Sequence, residues 1–133
     1  MDGVGIVESE KITINVGAVD LGKIDLLVDE GFYAGRTDFI RTAIRSQLER
    51  HEGEMNQTIT RKQMAVGLLH YGRRDLEERI GGGDRLAVSV VGLLSLAPDV
   101  TPDLARDAFE SITVRGMFRA GKDVKEALAD RMH

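Results

Sequence analysis

The chain has 133 residues, room for one ordinary domain or two small ones. With 42% hydrophobic and 30% charged residues it has the balance of a folded, soluble protein, and no apolar run approaches the length of a membrane span. The absence of cysteine excludes disulfides and thiolate metal sites, and a net charge of −4 argues against a general nucleic-acid coat.

No signal peptide is read ahead of the first structured stretch, and the expected compartment is the cytoplasm. Residues 1–10 are short and acidic, and are expected to form a disordered N-terminus. Residues 11–16, Lys-Ile-Thr-Ile-Asn-Val, alternate polar and apolar, the period of a half-buried strand. Ile12, Ile14 and Val16 share one face; Lys11, Thr13 and Asn15 share the other. A lone strand leaves backbone donors and acceptors unpaired. No matching strand follows within the next forty residues, so the economical partner is the same segment of a second chain.

Gly17 and Ala18 break the alternation, and Asp20 is placed to cap a helix. Leu21, Ile24, Leu27 and Val28 then recur at helical spacing, and Gly31 is the natural C-terminal cap. A second helix is expected to open near Arg36-Thr37-Asp38, where Asp38 suits the positive end of the dipole. Phe39, Ile40, Ala43, Ile44 and Leu48 form an apolar face wider than one short neighbouring helix can cover. Arg41, Arg45 and Arg50 read as a solvated face.

Strand, helix, helix within residues 11–51, with the run Gly31-Phe32-Tyr33-Ala34-Gly35-Arg36-Thr37-Asp38-Phe39-Ile40-Arg41, resembles the ribbon-helix-helix family of DNA-binding proteins (Arc, MetJ and CopG type). The resemblance implies an intertwined homodimer whose two strands form an antiparallel ribbon in the major groove. It implies that Lys11, Thr13 and Asn15 face base edges, residue types that can read adenine, guanine or a thymine methyl. It also implies that Arg36 and Thr37 at the second helix start meet a phosphate. Residues 1–51 nevertheless hold six basic and nine acidic groups, so long-range attraction to DNA is poor.

Residues 52–61 are polar, contain Gly53, and are expected to be a linker. Residues 62–133 read as a strand-helix module. Val66-Gly67-Leu68-Leu69 recurs as Val91-Gly92-Leu93-Leu94, and Gly116 continues the series one unit further on. Three units are expected, at 64–80, 86–110 and 112–132, either stacked as a solenoid or interleaved as a sheet with helices on one face. The strand over 86–96 is expected to be buried on both faces. Pro98 and Pro102 bracket a turn before a helix. Gly81-Gly82-Gly83 is a turn, because neither P-loop nor dinucleotide spacing follows.

Nickel-responsive members of the family append a small α/β domain, and this layout is distantly similar to theirs. Their metal chemistry does not carry over: His51, His70 and His133 with no cysteine make no ligand set, so no metal and no cofactor is expected. No catalytic constellation rises above background, so no catalytic residues are assigned and the chain is not expected to be an enzyme.

The expectation is a mixed α/β (α+β) protein: an N-terminal ribbon-helix-helix dimer plus a C-terminal strand-helix repeat module that associates further. Its expected function is sequence-specific binding of double-stranded DNA as a transcriptional repressor. The alternative is an antitoxin-like or scaffold protein that dimerises through the ribbon-helix-helix and binds a protein partner. A small-molecule sensor is a third reading.

Overall fold

The computed structural model describes residues 9–133; residues 1–8, most of the expected disordered N-terminus, lie outside the described residues. The chain divides into a unit of residues 10–58 and a unit of residues 59–133 that also includes Ser9.

In the first unit, residues 11–16 are extended and join no ladder among the described residues. Helix α1 (Ala18–Asp29) starts from Gly17, so Asp20 lies in its first turn and is not its cap. The expected stop at Gly31 is there: Gly31 has φ +85°, its N–H donates to Val28 O and that of Phe32 to Leu27 O. These two bonds satisfy carbonyls that the helix end would otherwise leave open. Helix α2 (Arg36–Arg50) begins at the expected residue, with Gly35 as N-cap. Tyr33 stacks edge-to-face on Phe39 at 5.0 Å, fixing the turn between the helices.

Residues 52–61, expected to be a linker, form helix α3 (Glu52–Arg61). Glu52 and Glu54 sit at its positive end and Arg61 at its negative end. Gly53 lies in the first turn, where it costs less than in a helix interior. Gln63 ends α3 in the same way that Gly31 ends α1: its φ is +53°, with Gln63 N–H on Thr60 O and Met64 N–H on Ile59 O.

In the second unit, β1 (Ala65–Tyr71), α4 (Arg73–Gly81), β2 (Leu86–Leu96), α5 (Pro102–Ala108), β3 (Phe109–Arg119) and α6 (Lys122–Ala127) follow one another, and a 3₁₀ turn at Ala129–Arg131 ends the series. The strands are parallel in the order β1-β2-β3. Each strand pairs only with strands of neighbouring units. Thr101 Oγ1 caps α5 by accepting from Leu104 N–H, with Pro102 as the first helical residue. Helix α5 runs directly into β3, which therefore starts at Phe109, three residues earlier than expected. Arg85 and Arg131 donate to carbonyls at this junction, including that of Phe109.

Leu76, Ala105, Ala108, Val124 and Leu128 from the helices pack on Val88, Val90, Leu94, Leu96 and Ile112 of the sheet. The core thus lies on one face. The expectation that β2 is buried on both faces holds only in part. Leu93 is buried on the second face, but Val91 and Ser95 are half-buried and Ala87 is exposed. On that face β1 presents Val66 and Leu68, 68% and 55% exposed.

The repeat is anchored by Gly67, Gly92 and Gly116, which lie side by side in register with φ of +136°, +140° and +131°. A Cβ at Gly92 would strike the Gly67 carbonyl oxygen, and one at Gly116 would strike that of Gly92. Glycine is required at this layer by the closeness of the preceding strand as well as by φ.

Candidate nucleic-acid interface

Lys11, Thr13 and Asn15 lie on the extended segment and are all exposed. On its other face Ile12 and Ile14 are 74% and 67% exposed. The segment thus carries one apolar edge and one polar edge, and its backbone joins no ladder among the described residues. The helices that follow likewise expose apolar residues. Ile24 alone is buried among residues 10–58, whereas Ile40, Ile44, Leu48, Val19, Leu26 and Phe32 are exposed.

The start of α2 has two sides. Gly35 has no side chain, so the first-turn amides carry no side-chain cap. The carboxylate of Asp38 instead accepts from Ala34 N–H at 2.9 Å. Thr37 is exposed. Free amides at the positive end of a helix suit a phosphate oxygen. The guanidinium of Arg36, however, is engaged. Its Nε and Nη2 donate to Asp25 Oδ1 and Oδ2 at 2.8 and 2.9 Å, a fork-on-fork pair. That hydrogen bond, aided by the positive charge, holds the Asp25 carboxyl below the usual range. Asp25 is the site neighbour that the sequence reading missed. Eleven residues and a turn separate the two, and no short-range spacing rule pairs them.

Arg41, Arg45 and Arg50 are exposed along α2. His70 is exposed on β1, with Nδ1 3.2 Å from Ser95 Oγ on the facing strand. No cluster of three or more metal-ligating side chains occurs among the described residues. Nor is any described helix long and apolar enough to cross a membrane.

A polar-faced extended segment ahead of two helices that expose their apolar faces is the layout of a small DNA-binding unit. The chain matches the model of the ribbon-helix-helix transcriptional regulator family over residues 7–125, and it belongs to that family. The match runs from ahead of the extended segment into α6, so the strand-helix repeats fall within the family pattern. No curated protein and no solved structure matches the chain.

Proposed function

We propose that the protein is a homodimeric, sequence-specific DNA-binding repressor. Residues 11–16 of two chains pair as an antiparallel ribbon, with Lys11, Thr13 and Asn15 of each on base edges. The observation that carries this reading is the unpaired alternating segment beside a helix pair that buries only Ile24. Arg36 and Thr37 at the start of α2 contact a phosphate on either side of the groove, chiefly through backbone N–H groups, because the Arg36 side chain is shared with Asp25.

The strand-helix repeats tie dimers together. Parallel sheets are ordinarily covered on both faces, and on the second face Val66 and Leu68 are exposed and Val91 and Met117 only half-buried. Adjacent dimers joined there would occupy successive major grooves and block a promoter. Linked sites also offset the weak long-range attraction of an acidic chain.

The test is selection of bound duplexes from a random pool at physiological salt. Recovery of a short motif repeated at a fixed spacing is the expected result; an unenriched pool would overturn base reading. A second reading is favoured by the acidic excess in residues 1–51 and by the occupied Arg36 fork: an antitoxin-like or scaffold protein in which the ribbon only dimerises the chain. Co-purification of a basic protein partner together with an unenriched pool would select it.

A further inference from the structure

We propose that His70, Ser95 and Arg119, a row across the carboxyl end of the sheet, bind a small carboxylate whose apolar body lies over Leu68, Leu93 and Met117. The register sets both rows. His70 faces Ser95, which faces Arg119; two positions earlier Leu68 faces Leu93, which faces Met117. The intervening Leu69, Leu94 and Phe118 pack in the core, so all six residues lie on the opposite, open face. Leu93 is buried between exposed Leu68 and half-buried Met117. Open α/β sheets hold their ligands at the carboxyl ends of parallel strands.

Charge singles out this face. The chain has 22 acidic residues against 18 basic ones. Yet the three strands contain a single acidic residue, Glu110, at the opposite end of β3. The open face carries His70, Arg115 and Arg119 instead. Arg115 is taken, its Nη1 donating to the carbonyls of Val114 and His133. Arg119 has no carboxylate within ion-pair reach among the described residues. Its Nη2 lies 3.5 Å from Ser9 O and 3.9 Å from Met117 Sδ, which sets the guanidinium beside the apolar row with donors to spare.

The polar row supplies matched donors. His70 Nδ1 lies 3.2 Å from Ser95 Oγ. With the proton on Nδ1, His70 donates to Ser95, whose own hydroxyl hydrogen can then turn to an incoming acceptor. Arg119 adds a planar fork that fits a carboxylate. One fixed cation beside an apolar row suits a monoanion with a hydrocarbon body. A phosphate dianion would leave charge uncompensated and the apolar row uncovered. The site is complete within one chain and stands apart from DNA reading.

Hexanoate is the probe, titrated into the full-length protein and followed by saturation-transfer NMR. The protein is kept dilute enough for sedimentation to show dimers, so failure to bind counts against the site and not against the contact between dimers. Saturable binding with a dissociation constant on the order of 1 mM is expected. Affinity should rise from acetate through butanoate to hexanoate, and inorganic phosphate should bind more weakly than hexanoate. Arg119→Gln should weaken hexanoate binding at least about tenfold and Ser95→Ala about threefold, whereas Arg74→Gln, exposed on α4, should leave it unchanged. Melting temperatures show that the variants fold, and Ser95→Ala, a small change, decides if Arg119→Gln does not. No saturable binding, phosphate binding as tight as hexanoate, affinity independent of chain length, or indifference to either folded variant would each overturn the proposal.

Discussion

Arg36 and Asp25 are joined by two parallel hydrogen bonds of 2.8 and 2.9 Å, which tie the first turn of α2 to the middle of α1. The pair is half-exposed, so it is chiefly an orienting contact. It also sets aside the one cation at the proposed phosphate site. Asp25→Asn should release the guanidinium, raise DNA affinity and steepen its logarithmic salt dependence by about one unit. Unchanged salt dependence in a titration series would remove Arg36 from the interface.

The same pair gives a pH dependence with a definite sign. The folded-state pKa of Asp25 is depressed, so between the folded and unfolded values the unfolded chain binds more protons. Its stabilisation is complete above the ordinary carboxylate range and is lost as pH falls through the depressed value. Asp130, held down by its hydrogen bond from Arg106, behaves alike. Asp25→Asn with Asp130→Asn should flatten the acid limb of a plot of melting temperature against pH.

Asn15→Ala should leave the dimer folded, because the side chain is exposed, and should weaken preference for the selected site by about 1–3 kcal/mol if the contact to a base is bidentate. Competition gel shifts with matched and scrambled duplexes measure this. Equal loss on both duplexes would make Asn15 a backbone contact.

The three glycines of the stack should not respond equally to substitution. At Gly67 a Cβ meets nothing among the described residues, so Gly67→Ala carries only the positive-φ cost of about 1–3 kcal/mol. Gly92→Ala and Gly116→Ala add collision with a neighbouring carbonyl, and each should cost more than about 3 kcal/mol. Urea unfolding of the three variants would show the order.

Gln63 occupies the position after α3 that glycine fills after α1 and, as Gly83, after α4. A non-glycine side chain there carries left-handed strain. Gln63→Gly should stabilise the chain by about 1 kcal/mol in the same assay, net of added unfolded-state entropy.

Leu68→Asp places a charge on the β1 side of the open sheet face without touching the core. Sedimentation should then show dimers where the unaltered protein forms larger assemblies. Assemblies of unchanged size would move the contact elsewhere.

The sequence made some of this architecture readable because the deciding signals are local. Gly31 and the Gly35-Arg36 boundary mark helix ends by backbone chemistry, and the alternation over 11–16 falls on a segment that is extended but joins no ladder among the described residues. The repeats showed through Val-Gly-Leu-Leu, and the structure sets them side by side in one parallel sheet with helices on one face. Helix α3 was hidden because Gly53 reads as a breaker until its place in the first turn is known. The start of β3 was hidden because α5 enters it without a loop. Asp25 was invisible as a partner of Arg36, since their meeting depends on how the turn at residues 31–35 folds back.

Helix and strand follow each other in a fixed alternation, and strand pairing joins only neighbouring units. Such an array can grow or shrink by gene duplication of a whole unit, while a single inserted codon within β2 would shear the column of glycines out of alignment. Length change in this half of the molecule is therefore quantised, and lineages carrying it should differ by multiples of about two dozen codons.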